Sequence, residues 1–166
     1  KTIVVEPRMT MEELVAATLP YGLVPPIVPE FKGITVGGAI SGGATESSGF
    51  RYGAFHDTCL EYEILCGNGE VIHASPTENA HSFYGFPGSY GSLGPLLSCT
   101  IQLIPACSEV RLTYHTFHDP IQAVRYVRNR VHASDFPDFL DGMIFSKDLA
   151  VIIEGKRVSD ENDTTP

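Results

Sequence analysis

The apolar positions of the chain change period several times, and each change marks an element. Residues 3–6 form a short apolar run closed by Pro7, the pattern of a buried strand. Met11, Leu14, Val15 and Leu19 then recur at helical spacing behind Thr10, which makes a capping box with Glu13, and Pro20 ends that helix. Residues 23–29 hold Pro25, Pro26 and Pro29, so they run extended without forming a central ladder strand. Leu60, Tyr62, Ile64 and Cys66 alternate with polar neighbours, Asn68-Gly69 offers the positive-φ residues of a tight turn, and residues 70–74 return. That pattern predicts a β-hairpin. Residues 78–86 read as a short helix, and residues 96–104 as a strand closed by Pro105.

Beyond Pro105 the pattern starts afresh. Residues 110–117 predict a strand, and residues 120–132 a helix with Ile121, Val124, Val127 and Val131 as its apolar stripe. Residues 140–145 and 149–154 predict two more strands. The expected class is α+β, with a domain boundary near Ala106 that separates residues 1–105 from 106–166. Lys1 runs directly into a strand pattern, and the polar tail 159–166 follows a strand that has just ended, so a segment of a longer protein is expected.

Charge narrows the partners. Lys and Arg number 11 against 20 Asp and Glu, and the formal charge of -9 gives an acidic surface that repels nucleic acid phosphates and anionic membrane faces. Cys59, Cys66, Cys99 and Cys107 lack C-x-x-C spacing, and the first three lie in apolar strand-like runs, so all four read as reduced core residues. The six histidines, His56, His73, His81, His115, His118 and His132, show no ligand spacing. They read as surface or strand-end residues, and no metal is expected. Glu61 and Glu63 fall on the solvent side of the hairpin, and Arg125, Arg128 and Arg130 on a solvated helix face. No stretch is long and apolar enough to span a bilayer, and the first residues lack a signal-peptide layout.

The candidate chemistry lies in the run Thr35 to Ser48, T-V-G-G-A-I-S-G-G-A-T-E-S-S. The pairs Gly37-Gly38 and Gly42-Gly43 remove four β-carbons, which lets backbone approach a flat or phosphorylated ligand and exposes N–H donors. Thr35 is placed to cap a short helix whose N-terminus faces negative charge, and Ser41, Thr45, Ser47 and Ser48 add hydroxyls. Neither G-x-G-x-x-G nor G-K-[ST] occurs, so the usual nicotinamide and NTPase loops are absent. The same glycines equally suit close packing of helix on sheet. A second glycine-rich stretch, residues 84–94, follows the hairpin.

The order T-V-G-G, Tyr52-Gly53, Asp57, the C-G-N-G-E-V hairpin, F-Y-G-F-P-G-S-Y-G-S-L-G and a strand ending I-P-A resembles the second lobe of the FAD-binding domain of the vanillyl-alcohol-oxidase, or PCMH-type, family. Within it, T-V-G-G and E-S-S close to Y-G look like the sterol-reductase branch. The resemblance implies an antiparallel-rich sheet with flanking helices, followed by the start of an α+β substrate domain. It implies FAD contacts at Thr35, Val36, Gly37, Gly38, Ala39, Ile40, Ser41, Gly42, Gly43, Ala44, Thr45, Glu46 and Ser47, and at the turn Tyr52-Gly53. Val36 to Gly38 would lie beside the ribityl and diphosphate groups and Gly42 to Ser47 towards the isoalloxazine.

Gly33 stands where doubly linked relatives carry a cysteine, so non-covalent FAD is implied. Asp57 matches an acid that the family often keeps, although a local cap explains it equally. The resemblance further implies NADPH as electron donor, a C=C bond of a sterol side chain as substrate, the endoplasmic reticulum membrane as location, and a fragment inactive alone. It leaves the catalytic acid unknown. An FAD-linked oxidase of alcohols or amines using dioxygen, and a flavin-free fragment, remain the alternatives.

Overall fold

The first strand forms as β1, Thr2–Val5, and hands over to α1, Met11–Thr18, through the Thr10 cap: Thr10 Oγ1 accepts from the Glu13 amide at 3.2 Å, and Glu13 Oε2 accepts from the Thr10 amide at 2.8 Å. Pro20 does not break the chain there. It sits in a 3-10 turn, Leu19–Tyr21, where its missing N–H costs nothing, and Gly22 at φ 67° ends the turn. The computed structural model describes residues 1–158, which fall into two compact units, Lys1–Ala106 and a second beginning at Cys107. The polar tail 159–166 lies outside the described residues.

Unit 1 adds β2 (Leu23–Val24), α2 (Val36–Gly42), α3 (Gly49–Tyr52), β3 (Cys59–Leu65), β4 (Val71–Ala74), α4 (Ala80–Gly85), β5 (Leu96–Gln102) and β6 (Ile104–Pro105). Its main sheet is antiparallel with order β1-β5-β3-β4, and β2 pairs only with β6. The proline-rich stretch thus contributes two residues at the side, as a segment short of donors must. The helices cover an apolar core that includes Met11, Leu14, Val36, Ile40, Phe55 and Tyr62. Tyr62 stacks on Phe83 with centroids 5.1 Å apart, and burial pushes its phenol well above the usual range.

Two details of the hairpin differ from the sequence pattern. A bulge between Cys59 and Glu61 turns Cys59 inward and leaves Leu60 41% exposed, because an extra residue shifts the alternation by one. At the turn, Gly69 alone has positive φ, 86°. Asn68 acts through its side chain, whose Oδ1 accepts from the Glu70 amide at 3.0 Å, while the Gly69 amide donates to Cys66 O.

All four cysteines are free. Cys59 and Cys99 are buried, but Cys66 and Cys107 are only half-buried, so the expectation of four core residues held for two. A hydrogen bond with Cys59, together with burial, raises the Cys99 thiol far above its ordinary value, which makes it an inert packing group.

Unit 2 is a three-stranded antiparallel sheet, order β7-β9-β8, from β7 (Glu109–Phe117), β8 (Phe139–Ser146) and β9 (Leu149–Val158), with α5 (Pro120–Arg130) on one face. Asp119 caps α5, its Oδ1 accepting from the Ile121 amide at 2.9 Å, and Pro120 occupies the first turn. The inward face of α5 is not the apolar stripe expected. Ala123, Tyr126, Val127 and Arg130 face the sheet at i, i+3, i+4 and i+7, and Ile121 and Val124 are each 62% exposed.

A polar cluster fixes that choice and overturns the reading of Arg130 as solvated. Its guanidinium is held against Glu154 of β9, Nε to Oε1 at 2.7 Å and Nη2 to Oε2 at 3.1 Å, and reaches Asp135 at 3.1 Å. Tyr126 donates to Glu154 Oε1 at 2.7 Å. With its one proton so used, its oxygen accepts from His115 Nε2 at 3.1 Å, so His115 belongs to the cluster and not to the surface.

Candidate functional site

The run Thr35 to Ser48 folds as a cap, a short helix and a turn. Thr35 has extended backbone, and its Oγ1 accepts from the Gly38 amide at 3.1 Å, as the cap reading requires. Gly43, at φ 69°, ends α2 in the left-handed conformation. Between them the helix has two faces. Val36, Ala39 and Ile40 are buried in the core and can meet a ligand only through backbone. Gly38, Ser41 and Gly42 recur at i, i+3 and i+4 and leave outward a strip of small side chains and bare backbone, and exposed Thr45 follows beyond the turn at Gly43.

The glycines divide by role. A β-carbon on Gly37 would come within 2.8 Å of Pro7 Cβ, so Gly37 serves the contact between α2 and the β1–α1 loop. One on Gly38 would come 3.0 Å from the capping Thr35 Oγ1. One on Gly42 or Gly43 would meet nothing within 4 Å, so at those positions no packing requirement accounts for glycine. Gly53, at φ 79° and ψ -155°, occupies a conformation open to glycine almost alone, with Asp57 against its α-carbon.

The first-turn amides of α2 are not free donors. Val36 N–H donates to Met9 O at 2.8 Å and Gly37 N–H to Pro7 O at 2.9 Å, and Gly38 is taken by Thr35. The expectation of exposed donors there fails because the loop after β1 caps the helix first. Ser48 is likewise removed from any ligand: it is fully buried, and its hydroxyl donates to Pro26 O at 3.0 Å. Asp57 has the local role, its Oδ2 accepting from the Ala54 amide at 2.7 Å. Glu46 turns back on the chain and accepts from the Ser47 amide at 2.6 Å. Tyr52 packs on the core, with Arg51 over its ring at 5.2 Å.

The structure brings a second segment to the strip. Gly88 N–H donates to Ile40 O at 3.2 Å and Tyr90 N–H to Ser41 O at 3.4 Å, so the loop after α4 satisfies carbonyls at the C-terminal end of α2. Beside these contacts Ser89 Oγ is buried without a hydrogen-bond partner. The glycine content of residues 84–94 was the available signal, but only the fold shows which helix they meet.

Two glycine-lined segments therefore converge on Ser41, Gly42 and Gly43, with hydroxyls at Ser41, Thr45 and Ser47 and an unsatisfied hydroxyl at Ser89. A flat polar ligand that approaches backbone closely fits this donor set, and the orphaned Ser89 hydroxyl supplies the observation in its favour. No group of three or more His, Cys, Asp or Glu side chains among the described residues is arranged to hold a metal ion.

Comparison with known proteins gives the class. Residues 1–75 match the FAD binding domain family model, and the α+β fold of helices on antiparallel sheet is that of such a domain, so unit 1 belongs to the FAD-binding domains of the PCMH type. The chain as a whole is similar to delta(24)-sterol reductases. It is 36% identical to that of Macaca fascicularis over 91% of the chain, 35% identical to that of Homo sapiens over 91%, and 34% identical to that of Arabidopsis thaliana over 95%. Cytokinin dehydrogenase 9 of Oryza sativa subsp. japonica is 30% identical over 76% of the chain. The chain spans 29% of the length of these three reductases and 24% of the cytokinin dehydrogenase. No helix among the described residues is long and apolar enough to cross a membrane.

Proposed function

We propose that the chain is part of an FAD-dependent oxidoreductase that reduces a C=C bond of a sterol side chain with NADPH. The observation that carries this reading is the similarity to delta(24)-sterol reductases through both units, at 34–36% identity over 91–95% of the chain. The cytokinin dehydrogenase match covers less, 76%. On this reading residues 1–105 are the second lobe of the FAD-binding domain, residues 106–166 begin the substrate domain, and the enzyme works at the endoplasmic reticulum membrane.

FAD, when bound, supplies acceptance and donation of a hydride. The residues of this chain bind and orient it. Gly42, Gly43 and Gly88 admit the ligand to the backbone, and the hydroxyls of Ser41, Thr45, Ser47 and Ser89 meet its polar groups. Thr35, Gly37 and Val36 act one step back, by anchoring α2 to the loop after β1. Gly33 offers no thiol, so no cysteinyl link to the cofactor forms at this position. In the net reaction one hydride from NADPH and one proton from water or an acid add across the double bond, and NADP+ leaves.

Anaerobic mixing of the flavin-loaded full-length enzyme with NADPH is expected to bleach the flavin absorbance, and a sterol with a side-chain double bond to restore it. A protein that ignores NADPH, yet is bleached by an alcohol or amine and makes hydrogen peroxide in air, would be an oxidase instead.

A further inference from the structure

The charge of the chain is unevenly placed. Residues 1–106 carry 4 Lys and Arg against 10 Asp and Glu, residues 107–158 carry 7 against 7, and residues 159–166 add 3 acids, so the acidity lies outside unit 2. Within unit 2 the cations gather on α5, whose 11 residues hold three arginines and no acid. The repulsion from anionic surfaces expected of the whole chain does not extend to this helix, because such fields fade over about 8 Å at physiological salt.

Arg130 is spent on Glu154, but Arg125 and Arg128 are exposed, and neither is held in an ion pair by any described residue. They share with Ile121 the spacing i, i+4 and i+7, on the side of α5 opposite Ala123, Tyr126, Val127 and Arg130, so all three point away from the sheet. Val124 stands on the flank towards β8. Between that flank and β8 runs an open trough of about 300 Å3 whose walls include Val124, Leu140 and Ile144, the last 66% exposed. Asp141 is the one charged residue along it, and its Oδ1 accepts from the Gly142 amide at 2.7 Å. A solvated face has no use for three exposed aliphatic side chains, and a face built to meet a protein core has none for two cations without a carboxylate. Apolar side chains bordered by free arginines are what an interfacial helix presents to lipid.

We propose that this face of unit 2 docks on an anionic lipid surface, with Ile121, Val124 and Ile144 at the acyl boundary and Arg125 and Arg128 among the headgroups. The inference goes beyond the flavin reading and does not depend on it, since every residue involved lies in unit 2.

The test is co-flotation of the chain with phosphatidylcholine vesicles, with and without phosphatidylserine. The chain is expected to float with the phosphatidylserine vesicles, less so as salt is raised. Each cation at such a surface is worth about fivefold in binding, so Arg125→Gln with Arg128→Gln should bind about twentyfold more weakly. Lys32→Gln, an exposed cation of unit 1, should stay within about twofold of the unaltered chain. The chain has no tryptophan, so a single one reports its own surroundings. Emission from Ile121→Trp should shift to the blue on adding the vesicles, and emission from Tyr21→Trp, at a position 77% exposed in unit 1, should not. Failure to float with either vesicle, equal loss in Lys32→Gln, or an equal blue shift in Tyr21→Trp would overturn the proposal. A blue shift of Ile121→Trp that grows with protein concentration in the absence of vesicles would overturn it too, and make the face a contact between copies of the chain.

Discussion

Replacing Gly94 with alanine is expected to unfold unit 1, or to lower its stability by more than about 3 kcal/mol. Gly94 has φ 123°, outside the conformations that a residue with a β-carbon adopts, and a β-carbon there would run into the main-chain carbonyl of Leu65 at the end of β3. Neither party can yield. The Leu65 amide is bonded to Pro95 O at 3.0 Å, and residues 96–102 form β5, which pairs with both β1 and β3. Gly91→Ala is the control, because Gly91 has φ 79° but a β-carbon there meets nothing within 4 Å, so only the backbone cost of about 1 kcal/mol applies. Urea unfolding of the two variants followed by circular dichroism separates them. A Gly94→Ala protein as stable as Gly91→Ala would refute the close approach.

Removing Glu154 is expected to be the most damaging single change in unit 2. Its side chain is 15% exposed and receives Arg130 in two hydrogen bonds and Tyr126 in a third. Glu154→Ala leaves a largely buried guanidinium with only the exposed Asp135 to face, at a cost of about 2–3 kcal/mol. Replacing both partners, Arg130→Met with Glu154→Leu, should recover most of that loss, because no uncompensated charge remains.

The same cluster sets a pH window. Burial alone would raise the Glu154 carboxyl, but the bonds from Arg130 and Tyr126 outweigh it and hold the group below its ordinary value of 4.5. A depressed folded-state value means that the unfolded chain binds the proton first. The stabilisation is therefore complete above pH about 4.5 and is lost as pH falls through the folded value. Tyr126 works in the opposite direction. Burial and the bond to Glu154 push its phenol from 10.0 up to about 12, so the folded state holds that proton longer and stability declines as pH rises from about 10 to about 12. Unfolding of Glu154→Gln across pH 3–6 checks the acid limb, and should show a shallower dependence than the unaltered chain, by the share that Glu154 contributes.

The sequence and the structure agree where local chemistry decides. The Thr10 and Thr35 caps and the hairpin all form from neighbours a few residues apart. Differences arise where distant residues choose. The face of α5 is set by Glu154, 24 residues from Arg130, and no period of Ile121, Val124, Val127 and Val131 contains that ion pair. The bulge at Cys59 depends on the register with β5, and the amides of Val36 and Gly37 are consumed by carbonyls of the preceding loop. Within the candidate site, the glycine pairs Gly37-Gly38 and Gly42-Gly43 were legible as permitting close backbone approach, with hydroxyls beside them at Ser41, Thr45 and Ser47. The partnership with Gly88 to Tyr90 was not, because two segments more than forty residues apart meet only in three dimensions.

This chain is expected to present the face spanning Ser41, Gly42 and Gly43 to FAD. Isothermal titration of FAD into the chain and into its Gly42→Val variant tests it directly, because Gly42 has open space where the new side chain would go and the fold has no reason to respond. Saturable binding by the unaltered chain is expected. Gly42→Val is expected to show no detectable binding, and its melting temperature should stay close to that of the unaltered chain. Equal FAD binding by the two proteins, or none by either, would contradict it.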